Sequence, residues 1–107
     1  MLSIVEKSYS EAGLNGIKEW CFGQNWPVVY IIYNDNKVYV GETLDAVRRT
    51  QQHLKEPEFD VFDDTSSICL ISSSTFNKSV IIDLESFLIK YMSVEGTRKL
   101  TNGNAGI

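Results

Sequence analysis

Five side chains in this sequence have types and spacings that could do chemistry together: Tyr30, Tyr39, Arg49, His53 and Glu85. Four of them fall in the stretch 28–54, VVYIIYNDNKVYVGETLDAVRRTQQHL, with Arg48 beside Arg49 and the chain's single histidine near its end. Arg49 and His53 are four apart, so on a helix they share one face one turn apart. Asp45, four before Arg49, offers a plainer reading as a surface ion pair worth only a few tenths of a kcal/mol. Glu85 is the misfit. Its neighbours three and four residues away are Ile81, Ile82, Leu88 and Ile89, and its own helix offers no cation on that face. An unpaired buried carboxylate costs several kcal/mol, so Glu85 must be neutralised, paired from elsewhere (Arg49 is a candidate) or bound to a metal. A lone carboxylate suits Mg²⁺, which keeps most of its waters and takes one or two protein carboxylates plus substrate oxygens.

The elements that position these groups follow from local chemistry. Val28 to Tyr33 is β-branched and aromatic throughout, which predicts a strand. Asn34-Asp35-Asn36-Lys37 is turn chemistry, and 37–40 is the return strand. A two-residue turn at Asp35-Asn36 pairs Tyr33 with Val38 and Ile32 with Tyr39. Because side chains alternate and partners share a face, Tyr30, Ile32 and Tyr39 then lie together. Gly41 is expected to end the strand, and Thr43 to cap a helix over 44–55. Residues 2–20 are expected to be a helix, broken at Gly13 or Gly16. Residues 66–72 (SSICLIS at 66–72) predict a strand in the middle of a sheet. Residues 79–94 predict a helix that is apolar nearly all round, hence buried on most sides, and closed by Gly96. The tail from Thr97 is expected to be irregular.

Length and composition bound the rest. One domain is the natural prior for 107 residues, with 43% hydrophobic and 22% charged residues, ordinary for a globular protein. The net charge of -4 excludes a surface that attracts nucleic acid everywhere, though not a local basic patch. Most of the excess acid is one run, Glu56, Glu58, Asp60, Asp63 and Asp64, which reads as a solvated loop. Cys21 and Cys69 sit in apolar company and are expected to be buried, unpaired thiols in a reducing compartment. No signal peptide or membrane span is visible, so a cytoplasmic setting is expected.

Taken in order, Val28-Val29-Tyr30, Tyr39-Val40-Gly41, Arg49, His53, Glu85 and an asparagine in the tail resemble the GIY-YIG nuclease domain family. The order hairpin, helix, strand, helix is similar too. The resemblance covers about 27–106 and implies an α/β (α+β) fold with a small central three-stranded antiparallel sheet flanked by helices. Residues 1–26 would then be an N-terminal helical extension and 27–107 the nuclease-like domain. It also implies metal-dependent endonuclease activity on nucleic-acid phosphodiester bonds, DNA being the expected partner. Glu85 would hold Mg²⁺ (or Mn²⁺). Tyr39 would be the general base or water-positioning group, with Tyr30 beside it. Arg49 would bind the scissile phosphate, and His53 would orient Tyr39 or shuttle its proton. Gly41, Arg48 and Asn102 would meet or brace the substrate, with Asn104 the second choice for the tail asparagine. Val28 stands where the family usually has glycine. The ending NGNAGI resembles modules at the N-terminus of larger bacterial proteins that carry a P-loop ATPase or helicase-like part, which would supply much of the DNA affinity.

Two other readings stay open on the residues. One is a catalytically weak or inactive nucleic-acid- or protein-binding module on the same scaffold. The other is a structural interaction domain whose tyrosines and Glu85 form a buried hydrogen-bond network.

Overall fold

The turn residues set the register of the hairpin. The Asn34 side-chain oxygen accepts from the backbone N–H groups of Asn36 (2.9 Å) and Lys37 (2.8 Å), the local bonding that makes asparagine a turn former. With the turn fixed, Tyr33 pairs with Val38 and Ile32 with Tyr39, as the alternation requires. A computed structural model of the chain describes residues 1–102. Its elements are β1 (Ser3–Ser8), α1 (Glu11–Glu19), β2 (Val28–Tyr33), β3 (Lys37–Thr43), α2 (Ala46–His53), a single 3₁₀ turn (Pro57–Phe59), β4 (Ser67–Ser72), α3 (Lys78–Glu95) and β5 (Lys99–Leu100). The strands form one sheet in the order β1-β4-β2-β3-β5. All neighbours are antiparallel except β3 and β5.

The expected three-strand core is therefore the middle of a five-stranded sheet. The first correction lies at the N-terminus. Residues 2–20 do not form one helix, because 3–8 pairs along its whole length with β4, from Ser3 opposite Ser72 to Ser8 opposite Ser67. The helix starts only after Ser10, whose side chain accepts from the Gly13 N–H (3.1 Å), and it then runs through both Gly13 and Gly16. Nothing local marks 3–8 as a strand, and the exposed edge of the apolar strand β4 decides its conformation. At the other edge, the tail contributes β5, two residues that pair with Lys37 and Val38.

Alternation gives the sheet two apolar faces. One, with Val28, Tyr30, Ile32, Ile68 and Leu70, is covered by α1 and α2 through Leu14, Ile17, Ala46 and Val47. The other, with Val29 and Val40, is covered by α3 through Ile81 and Ile89. Asn77 caps α3 by accepting from the Val80 N–H (2.9 Å), and Gly96 closes it at φ 72°. The second correction concerns this helix. It is not buried on most sides: Phe87 is 62% exposed, Tyr91 57% and Val94 88%. Of its apolar residues only Ile81 and Ile89 are fully inside. Cys21 is exposed rather than buried, and Cys69 is half-buried; neither is in a disulfide.

This orientation separates two substitutions that the sequence alone would rank together. Ile81→Ala should lower unfolding free energy by about 2–5 kcal/mol, whereas Phe87→Ser should change it by no more than about 0.5 kcal/mol. Urea denaturation of the two variants checks the assignment.

Candidate active site

The register that pairs Ile32 with Tyr39 also sets Tyr30 opposite Gly41. The Tyr30 ring lies across that glycine. A Cβ at position 41 would stand 2.5 Å from Tyr30 Cζ and 2.5 Å from its Oη. Gly41 is thus the space the tyrosine occupies, not the end of a strand, and β3 continues through it to Thr43. Tyr30 is only 2% exposed. Tyr39 lies beside it, ring centroids 6.2 Å apart, with part of its surface open.

The helix α2 brings the next groups. Its cap is Asp45, whose carboxylate accepts from the Arg48 N–H (3.0 Å), while Thr43 Oγ1 accepts from the Asp45 N–H (3.0 Å). Asp45 is thereby used as a cap, and Arg49 turns instead toward the tyrosines. His53, one turn on, is buried. Its Nε2 is 2.6 Å from Tyr30 Oη and its Nδ1 is 2.8 Å from Glu56 Oε1. Its ring packs against Phe59, centroids 3.9 Å apart. The expected link from His53 to Tyr39 is corrected here: His53 meets Tyr39 only ring to ring, at 5.6 Å, and its hydrogen bond goes to Tyr30.

Electrostatics follow from burial. Desolvation pushes the Tyr30 hydroxyl well above the usual phenol range; the Tyr39 hydroxyl adds to this and the Arg49 guanidinium opposes it. Burial also raises Tyr39, against the pull of the Tyr30 hydroxyl and Arg49, with Glu85 adding to the rise. Burial lowers His53, opposed by its bond to Glu56. These are the directions expected when desolvation disfavours each charged form.

Glu85 reaches the same edge of the sheet from α3. It is half-buried. Burial raises its carboxyl above the ordinary value, the Glu42 carboxylate adds to that, and Lys78 and Arg49 pull it down. Glu42 is itself bound by Lys78 Nζ, at 2.9 and 3.0 Å. Among the described residues Glu85 makes no ion pair, with Arg49 or any other cation. The adjoining cleft, about 360 Å³, is lined by Glu42, Asp45, Arg48, Arg49, Gln52 and Lys78. Val28, by contrast, is fully buried in the core under α1 and α2 and does not line it.

Asn102 braces this edge. Its Oδ1 accepts from the Val40 N–H (3.0 Å) and its Nδ2 donates to the Val40 carbonyl (2.5 Å). The side-chain amide thus acts as a further strand residue beyond β5, beside the segment that carries Tyr39 and Gly41. Asn104 lies outside the described residues.

A divalent cation fits this donor set. Glu85 lies within reach of the Glu42 charge, among the described residues only Glu42 of the two has a cation bonded to it, and the adjoining cleft is open to water. The described residues hold no group of three His, Cys, Asp or Glu side chains placed to share a metal. An ion here would therefore keep water and substrate oxygens in its shell, which is the habit of Mg²⁺.

Tyr30, Tyr39, Gly41, Arg49, His53 and Glu85 thus gather about β3, with the exposed Arg48 on the rim and Asn102 behind. Sequence reasoning missed Glu42, Glu56 and Lys78. Glu56 has a faint signal, three residues after the histidine; Glu42 and Lys78 have none short of knowing that α3 crosses β3. One substitution tests the geometry: Gly41→Ala must displace the Tyr30 ring and should cost about 1–3 kcal/mol by overpacking, read by denaturant unfolding.

Searches among curated proteins and among solved structures found no match to this chain. The family model described as the GIY-YIG catalytic domain matches residues 27–94, well over half of the chain and the whole run from the hairpin to α3. By that match, the chain belongs to the GIY-YIG catalytic domain family, a family of nucleases.

Proposed function

We propose that the protein is a divalent-metal-dependent endonuclease that hydrolyses DNA phosphodiester bonds. The observation that carries this reading is the cleft beside β3 that Arg49 lines, where its charge is felt by Tyr30, Tyr39 and Glu85 alike. Such a guanidinium can grip a phosphate with its planar fork and offset the charge that grows in the transition state. Arg48 on the rim and the backbone about Gly41 meet the flanking phosphate chain, and Asn102 keeps β3 in place beneath it. Tyr39, the more open of the two tyrosines, bonds the attacking water. Its raised pKa keeps it a neutral phenol near pH 7, so its oxygen accepts a hydrogen bond from the water and orients it; it takes the water's proton as the bond to phosphorus forms only while its own proton moves to Tyr30 and the Tyr30 proton to His53 Nε2. Glu85, with Glu42 nearby, would hold Mg²⁺ or Mn²⁺. When bound, that ion supplies polarisation of the phosphoryl oxygen and charge relief at the leaving oxygen.

Charge bears on how tightly this domain alone would hold its substrate. Phosphate contacts dominate nucleic-acid affinity, and the cleft offers Arg48, Arg49 and Lys78 against a chain of net charge -4. Affinity then depends on more than this domain. We place it in the cytoplasm as a module of a larger polypeptide, with a further part such as a P-loop ATPase carrying DNA.

Nicking of supercoiled plasmid tests the reading. Cleavage should require Mg²⁺ or Mn²⁺ and stop on chelation. Arg49→Ala should lower kcat by about 10²–10³, the usual loss when one transition-state donor is removed, and Glu85→Gln should abolish turnover. DNA binding without nicking under any divalent cation would favour the non-catalytic binding module, and intact activity in Glu85→Gln would remove the carboxylate from the metal site.

A further inference from the structure

Behind the tyrosines, the acidic loop that composition assigns to solvent delivers one of its carboxylates to the site. Glu56 stands 2.8 Å from His53 Nδ1, with 42% of its side chain exposed against 5% for His53. We propose that Glu56 is a positioning residue of the catalytic apparatus: it fixes the His53 tautomer so that a bare Nε2 faces the Tyr30 hydroxyl.

The chemistry of the donors carries this. A carboxylate only accepts hydrogen bonds, so the Nδ1 that meets it bears the proton. A neutral imidazole then has no proton on Nε2, and the 2.6 Å contact with Tyr30 Oη is a bond that the tyrosine donates. The opposite tautomer would set the Nδ1 lone pair against the carboxylate and make Tyr30 Oη the acceptor of the Nε2 proton. The doubly protonated ring is disfavoured by burial. With its own proton committed to His53, the Tyr30 oxygen turns its lone pairs toward Tyr39 and Arg49. It can then accept from Tyr39, whose own lone pairs are left for the attacking water. A proton passing from Tyr30 Oη to His53 Nε2 would leave a phenolate beside Arg49 and an imidazolium against Glu56, with no other atom gained or lost.

The groups that face His53 set the sign of its response to pH. Glu56 supports the imidazolium and Arg49, one turn earlier on α2, opposes it. Tyr30 and Tyr39 meet it from the strands. Across the cavity behind the ring stand Tyr9 and the carboxylates of Glu11, Asp60, Asp63 and Asp64. Removing Glu56 therefore lowers the pH at which His53 protonates.

The inference rests on the proposed hydrolysis, but its first test does not. His53 is the only histidine, so a long-range ¹H–¹⁵N spectrum of the whole chain reads its tautomer directly. The protonated nitrogen should be Nδ1 in the wild type and in Glu56→Gln, whose amide oxygen can still accept. In Glu56→Ala the population should shift toward Nε2–H. An Nε2–H wild type, or a Glu56→Ala spectrum unchanged from it, overturns the proposal whether or not the protein cleaves DNA. In plasmid nicking, Glu56→Ala should lower kcat roughly 10- to 100-fold, at the lower end of what general acid–base assistance contributes. KM should be unchanged, the acid limb of the pH profile should move to lower pH, and Glu56→Gln should restore much of the rate. A correct tautomer with kcat and the acid limb unmoved in Glu56→Ala would make the contact structural only. A wild type that never nicks DNA would sink the proposed function and leave the tautomer result to decide what Glu56 does.

Discussion

A tyrosine laid across a glycine holds this site together. Tyr30 is almost wholly buried because its ring fills the space that a side chain at residue 41 would occupy. That close approach depends on the register set by the Asn34 turn, which puts the two residues opposite each other on neighbouring strands. It aims the Tyr30 hydroxyl away from solvent and onto His53, so the position of α2 and the geometry of β3 are tied to one ring. The His53–Glu56 pair on the far side and Tyr39 on the near side are both located by the same buried phenol.

The second constraint is charge at the outer edge of β3. The Glu42 carboxylate raises the cost of negative charge on Glu85, Lys78 bonds Glu42, and the Lys78 and Arg49 charges pull Glu85 the other way. Glu85 is left half-buried with no cation bonded to it among the described residues, an arrangement that stability alone would not favour. Local balance also explains how an acidic domain can present two arginines at one cleft: Arg48 and Arg49 are adjacent in sequence, and the helix directs both there while much of the acid lies on the loop behind His53.

Much of this is legible in the sequence. The hairpin register, the shared face of Tyr30 and Tyr39, and the placing of Arg49 and His53 one turn apart follow from turn chemistry and side-chain periodicity. What was not legible depends on tertiary partners. Residues 3–8 carry no strand pattern strong enough to outweigh a helical reading, and pairing with β4 decides them. An apolar helix does not say which of its sides a sheet will cover, so the exposure of Phe87 and Tyr91 could not be read from their types. Glu56 was hidden by its company, since an acidic run reads as solvated loop whichever of its members turns inward. Asn102 was expected at the site, but the means by which it acts, a side-chain amide bonded to both backbone groups of Val40, is visible only in three dimensions.

In the proposed hydrolysis, water oriented by Tyr39 attacks the phosphate that Arg49 grips. Single-turnover cleavage of duplex DNA in ¹⁸O-labelled water with Mg²⁺ tests this most directly. One labelled oxygen is expected in the terminal phosphate of the product, with no DNA bonded to protein at any stage. A tyrosine–DNA adduct at Tyr39 or Tyr30, or a product phosphate without label, would contradict it.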